Sequence, residues 1–405
     1  MLHSTFIAPF KSLTLCVVYL AAFIAVAGMT GVYLYMVFDY ATMGMWAVME
    51  HFIVRALFVS MLIMPFCLWL GTVISFKPFM IITSLVQIIA SLAFCYIGLD
   101  GDNWLLTLLF SISVAVFWSV FHLMMSNLVT DKNAGNEVCM ADAGVTVGVL
   151  IGSLLGGVSL TMGLGGLAFI VGSIMVVLGT FILYLSMGQS IKKAQMNLSF
   201  FGENEGFNLQ TLRAKKKNIF STFYEGSFQT IANYLVPVWL HLMAVSAMGV
   251  GFLSAAQIAL KIIVSPLVGH FTNKSALAEL SSDDDLDIGL SLKAVGWLPW
   301  LFLQTPLLYM FSSLFWTAGQ HFYSMGMASR WYRKRSICNL ALREFSLGFG
   351  RLATTLVALP LLYWSLHSYI VFSVVLSVSM VLTTKLARSS MREGGLALTS
   401  RFRRA

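Results

Sequence analysis

Charge is what this sequence has least of. Only 10% of its 405 residues are Asp, Glu, Lys or Arg, against about one-quarter in soluble domains. That scarcity excludes an ordinary water-soluble fold, and with 58% hydrophobic residues it implies an all-α integral membrane protein. The five cysteines show neither metal-ligand spacing nor a disulfide framework: Cys16, Cys67 and Cys95 fall inside apolar runs, and Cys139 and Cys338 at helix ends. No phosphate-binding glycine loop, nucleophile-base-acid signature or zinc motif is present, so no enzyme, cofactor or metal is expected. Leu13 to Met36 is too long for a signal-peptide core and ends in no small-residue cleavage pattern, so it reads as a first span.

What is present is a succession of apolar runs near 20 residues, the length that crosses bilayer hydrocarbon as a helix with every backbone group bonded internally. Twelve such runs are expected. The first six are Leu13 to Met36, Val54 to Ile74, Phe79 to Leu99, Trp104 to Leu128, Ala143 to Met162 and Leu167 to Met187. The last six are Ile219 to Leu242, Met248 to Phe271, Ile288 to Leu307, Leu308 to Met327, Phe345 to Tyr363 and Ser368 to Leu386. Asp39 to His51 reads as an outer loop, Pro78 as the first turn of the third helix, and Asp142 as an acidic group at the start of the fifth. The longest polar interruption, 188–217, divides a six-helix bundle (1–187) from a second (218–386), and a basic tail (387–405) follows.

The net charge of +8 lies in a few loops and the tail, which makes it a topology signal and not a nucleic-acid footprint. Lys11, Lys77, Lys132, the central stretch, Lys274, the Arg330 to Arg335 cluster and the tail all fall on one side. By the positive-inside rule both ends are then cytoplasmic, with Arg55 the main exception. The basic clusters also suit contact with anionic membrane lipids. The acidic run Asp283 to Asp287 has no calcium-loop spacing and reads as a solvated turn. In each half a charged inner connection follows the fourth helix, Thr130 to Asp142 and Arg330 to Glu344, and such weak internal symmetry marks transporters whose halves rock about a midplane site.

Across nearly its whole length the chain resembles the major facilitator superfamily, as a divergent member. The closest local match is Gly148-Val149-Leu150-Ile151-Gly152-Ser153-Leu154-Leu155-Gly156-Gly157, similar to the family's glycine-rich fifth-helix motif with Ser153 where proline is usual. Gly71 to Lys77 lacks the acidic and arginine positions of the family's loop signature. Its counterpart Gly269-His270-Phe271-Thr272-Asn273-Lys274 keeps the glycine and one base, with Asn273 in the acidic place. Leu342 to Phe345 and Gly348 to Arg351 resemble the start of the family's eleventh helix. The resemblance implies a monomeric secondary transporter with two six-helix bundles.

Ionisable groups inside spans are costly and mark functional sites. Glu225 is the candidate for proton coupling, because a buried carboxylate responds strongly to its surroundings; the alternative is a permanent structural ion pair, for which Lys261 on the antiparallel eighth helix is in reach. Lys261, Arg351 and Arg55 are candidates for binding an anionic group. Gln229 and Asn233, four and eight residues beyond Glu225, share its face; they either line the same cavity or bond between helices. His122, His241 and His321 could relay protons or simply pack. Gly148, Gly152, Gly156 and Gly157 are expected to let helices approach closely, and Trp297, Trp300, Trp316 and Trp364 to anchor or pack. The expected function is alternating-access transport of a small organic solute, anionic or zwitterionic, with protons as a coupling ion, in a bacterial inner membrane. The alternatives are an exporter of amphipathic compounds and a transporter-like scaffold that does not transport.

Overall fold

The computed structural model describes residues 13–73, 76–97, 104–130, 133–186, 209–231, 247–277, 284–297, 306–333 and 337–364, with 375 and 379. Among these there is no strand, and the helices are α1 (Leu13–Met43), α2 (three continuous stretches, Met45–Val54, Arg55–Ile63 and Met64–Val73), α3 (Phe76–Ile97), α4 (Trp104–Leu128), α5 (Ala134–Thr161), α6 (Gly165–Ser186), α7 (Leu209–Thr230), α8 (Ala247–Leu277), α9 (Asp284–Trp297), α10 (Pro306–Arg333) and α11 (Ile337–Trp364). Among the described residues six stretches are long and apolar enough to cross a membrane, including Leu13–Tyr40, Trp104–Leu128 and Gly165–Ser186. Rows of large apolar side chains lie exposed on α3 (Ile81, Ile82, Leu85, Ile88, Ile89, Leu92) and on α6 (Leu167, Ile174, Phe181, Leu185). Apolar faces that extensive are at home in lipid, and the chain is a multi-pass integral membrane protein. The twelfth expected span lies outside the described residues apart from its two isolated positions.

Several element ends differ from the sequence reading for local reasons. The expected outer loop Asp39 to His51 is helical except at Gly44, whose φ of +115° makes the whole α1–α2 turn in a single residue, a conformation cheap only for glycine. The helix α5 begins nine residues before Ala143, because Thr130 and Glu137 secure its first turn: the Thr130 backbone N–H donates to Glu137 Oε2 at 2.6 Å and its hydroxyl to Oε1 at 3.0 Å. Both bonds run from Thr130 to the Glu137 carboxylate, which ties the preceding turn onto the start of the helix. Asp142 therefore stands two turns inside the helix instead of at its start. At its other end α5 stops at Gly163, φ +69°, where the Leu164 N–H reaches back to Ser159 O at 2.7 Å, a left-handed cap that satisfies the last carbonyls. The charged inner connections also shrink, since Arg330 belongs to α10 and Arg343 and Glu344 to α11.

In α2 the stretch Arg55–Ile63 is π-helical, and the Met64 N–H bonds to Val59 O. Pro65 follows; it has no amide hydrogen, and its ring crowds the carbonyl four residues back, so the regular ladder is disfavoured there. The widened turns bury Ala56, Val59 and Ser60, and π-turns of this kind gather at functional positions.

Helices α1, α5 and α6 form the tightest packing. A Cβ added at Gly152 would stand 2.3 Å from Ala27 O and one at Gly148 2.5 Å from Phe23 O, so these backbones touch with no side chain between. Gly156 meets Gly31 in the same row, and Gly157 is buried in α5. The second set is built from the pairs α7–α11 and α9–α10. The two sets meet along α5–α8 and along α2–α11.

Side-chain bonds join the two sets near one end, here the A end, where α1, α5 and α11 begin and α4, α8 and α10 finish. There the Asn273 side-chain oxygen accepts from the Gly135 N–H at 2.7 Å, so a residue of α8 satisfies an orphan donor in the first turn of α5. His122 of α4 bonds the hydroxyl of Tyr332 in α10 and lies 3.8 Å from Glu344 of α11.

Candidate functional site

Between the two sets lies a cavity of about 480 Å³ lined by α1, α2, α4 and α5 from one side and α7, α8, α10 and α11 from the other. Its size is that of a small-molecule site. Four bases, Arg55, Lys261, Arg343 and Arg351, and three acids, Asp142, Glu225 and Glu344, are among the lining residues.

Glu225 is 1% exposed. Its Oε1 accepts from Gln229 Nε2 at 3.3 Å, one helical turn on, and its Oε2 is buried with no hydrogen-bond partner. The amide of Gln229 faces both ways, since its oxygen accepts from Arg351 Nη2 at 2.7 Å. The other Arg351 terminal nitrogen donates to Ser60 Oγ across the seam. A continuous chain, Glu225 to Gln229 to Arg351 to Ser60, thus crosses from α7 through α11 to α2. Glycines seat the arginine: a Cβ at Gly348 would stand 2.6 Å from that of Ser60, and one at Gly350 2.0 Å from Phe223 O, so α11 is pressed against α2 on one side and α7 on the other.

Glu225 sits among cations, and the charges that act on it are those of Arg343, Lys293 and Arg351, with Glu344 opposing. Lys261 is not its ion-pair partner; among the described residues no such pair joins them, and Lys261 instead acts on Asp142. Lys293, 1% exposed in α9, is a group the sequence reading missed. Its ammonium lies 4.1 Å from the Phe228 ring centroid and 4.6 Å from that of Tyr323, a cation–π seat directly behind the Glu225 wall. A lysine inside an apolar run was the available signal. Arg343 holds Glu344 at 2.9 Å.

A second polar group spans the other seam. Asp142 Oδ2 of α5 is 3.2 Å from His321 Nδ1 of α10, and His321 Nε2 is 2.8 Å from Ser265 Oγ of α8. Thr146 donates to the same Asp142 oxygen at 3.3 Å. Of the remaining sequence candidates, Arg55 lies over the Tyr33 ring at 4.2 Å and lines the cavity. Trp316 stacks on Phe228 at 4.9 Å, and Trp364 is 86% exposed. Asn233, His241, Trp300 and the Trp297 side chain lie outside the described residues. Thr317 and Gln320 of α10 also line the cavity, and each has a buried side-chain oxygen without a partner; nothing in the sequence marked them beyond their polarity.

Eight helices converging on one cavity, with α3, α6 and α9 behind them among the described residues, is an arrangement shared with solved transporters. The human organic anion transporter MFSD10 (TETRAN) matches 92% of this chain and 98% of its own at a TM-score of 0.64 and 12% identity. A bacterial homologue of the iron transporter ferroportin, solved in an outward-facing state, matches 94% of this chain and 99% of its own at a TM-score of 0.64 and 13% identity. The chain has the major-facilitator fold. No protein-family model and no curated sequence matches it, so the major-facilitator likeness is one of three-dimensional arrangement, reached by a sequence far from its structural neighbours.

Proposed function

We propose that the protein is a secondary active transporter that moves a small organic anion or zwitterion by alternating access, coupled to protons through Glu225. The observation that carries this reading is the chain from Glu225 through Gln229 and Arg351 to Ser60, which ties a buried carboxylate to a guanidinium in one cavity and joins the two helix sets there. A guanidinium presents paired donors that fit a carboxylate or phosphate. An anionic substrate that engages Arg351 competes for it with Gln229 and Ser60, loosening the α2–α11 seam and changing the field at Glu225. Proton uptake there and substrate binding are in this way linked through one arginine. The likeness in fold to a human organic anion transporter and the excess of basic over acidic lining residues support an anionic group on the cargo.

The domains 1–187 and 218–386 are the two moving bodies in this reading. With both chain ends cytoplasmic in a bacterial inner membrane, the A end, where these cross-set bonds lie, faces the cytoplasm. A second reading, export of amphipathic compounds, is favoured by the apolar part of the cavity wall, where Met29, Met64, Met125 and Met325 lie with Trp118 and Phe228, since methionine adapts to varied ligands.

A panel of carboxylates, amino acids and lipophilic cations, screened by thermal shift on the purified protein, separates the two. A ligand that binds only the folded state raises its apparent stability. We expect a carboxylate-bearing compound to raise it and then to accumulate in proteoliposomes under an imposed pH gradient. Stabilisation by lipophilic cations alone would support the exporter, and a gradient-insensitive flux would refute proton coupling.

A further inference from the structure

Three hydrogen-bond contacts around His321 cannot all be made by a neutral imidazole and a carboxylate. The Ser265 hydroxyl has one hydrogen, and it donates to the Lys261 carbonyl at 2.8 Å, in the turn before Pro266. Its oxygen is then an acceptor for His321 Nε2 at 2.8 Å, which puts a hydrogen on Nε2. In a neutral ring Nδ1 carries only a lone pair, yet it stands 3.2 Å from Asp142 Oδ2. Two lone pairs in that position repel. One further proton, on Nδ1 or on the carboxyl, turns the repulsion into a charge-assisted or neutral hydrogen bond.

We propose that Asp142 and His321 form a proton-binding site, separate from Glu225, whose proton holds the α5–α8–α10 seam shut at the A end. This rests on the transport reading for its purpose, although the proton requirement itself does not. Asp142 comes from the first helix set, and His321 and Ser265 from the second, so the bond exists only while the sets are together. His321 is 1% exposed, whereas the Asp142 side chain is 26% exposed and lines the cavity, so the proton exchanges with the cavity through the carboxylate. The charged and titratable groups facing the site are Lys261 on α8 and Tyr332 on α10, both coupled to Asp142. Glu137 lies nearer the A end, with the Tyr19 hydroxyl of α1 on its carbonyl. On the far side of α10 stand Lys293 and Glu225. Loss of the shared proton leaves the carboxylate, held only by Thr146 among the described residues, against an imidazole lone pair, and the seam parts.

The test is a distance across the A end in the full-length protein. Spin labels at Leu185→Cys on α6 and His270→Cys on α8, both exposed positions, placed in a chain whose five cysteines are replaced, report it in lipid nanodiscs by pulsed electron resonance with no substrate present. The expected result is a short distance at low pH and a population longer by roughly a helix diameter, ~10 Å, as pH rises. Asp142→Asn, whose amide donates to a neutral ring, should stay short at all pH values, whereas Glu225→Gln should keep the wild-type pH response. Ser265→Ala frees Nε2 from acting as a donor, lets a neutral ring donate from Nδ1, and should weaken the response even if Asp142→Asn does not fold. A wild-type distance that ignores pH, or a response lost in Glu225→Gln and retained in Asp142→Asn and Ser265→Ala, overturns the proposal. Neither outcome depends on finding a transported solute, so failure of the transport reading is seen separately, in the ligand screen.

Discussion

The two helix sets solve the same problem of packing in lipid by opposite means. In the first set α1, α5 and α6 come together through small residues, with Gly148 and Gly152 of α5 against the α1 backbone and Gly172 and Gly179 of α6 against the same helix. In the second set the interior of α7, α9, α10 and α11 carries Glu225, Lys293, His321 and Glu344, all nearly inaccessible. Lipid gives helices no hydrophobic reason to associate, so close van der Waals contact and internal polar bonds are the two remaining routes. The first set uses contact and leaves its cavity face mostly apolar. The second uses charge and thereby owns most of the cavity's chemistry.

The contrast breaks first at Gly152. Gly152→Leu should leave no folded protein detectable by size-exclusion chromatography, because the side chain has only backbone to displace, and overpacking of this kind exceeds the usual ~1–3 kcal/mol. Gly31→Ala, whose Cβ would meet Gly152 O at 3.5 Å, should be tolerated and is the control. In the second set Lys293→Met should cost about 3 kcal/mol in a denaturation series, since removing one member of a buried charge cluster strands the other. Combined with Glu225→Gln, the loss should be largely recovered, and a double-mutant cycle reads the coupling. A smaller effect is expected at Arg351→Lys: a point charge cannot hold Ser60 and Gln229 together, and ligand affinity should fall about tenfold, ~1.4 kcal/mol, by titration calorimetry.

Much of this contrast was legible in the sequence, and the illegible part has a physical pattern. The span Trp104 to Leu128 was read with the ends it has, because composition alone decides where hydrocarbon can begin. The glycine row of α5 was visible for the same reason: small residues every four positions have one use in lipid. Glu225 and Arg351 were singled out because charge inside a span is rare, and Gln229 because it shares the Glu225 face. Their partners were not. Glu225 pointed to Lys261 on an adjacent helix, whereas its cations come from α9 and α11, a choice made by helix rotation that spacing does not encode. Asp142 looked like a helix-start carboxylate because the clasp of the Glu137 carboxylate on Thr130, at a start nine residues earlier, depends on a turn conformation. Gly44 as a complete loop was equally hidden, since polar residues on both sides suggested a longer one. Asn273 was seen as a departure from the family's acidic position, and its amide oxygen accepts the α5 donor there without a charge.

The most direct test of the central claim compares two modes of transport in proteoliposomes holding Glu225→Gln. Exchange of substrate across the membrane requires the cavity and the rocking motion but no net proton movement, whereas accumulation against a gradient requires the proton. The account predicts that the variant exchanges substrate at close to the wild-type rate and that its accumulation falls to the level reached without a pH gradient. Accumulation that persists at the wild-type level would show that Glu225 is a structural charge and that the coupling lies elsewhere.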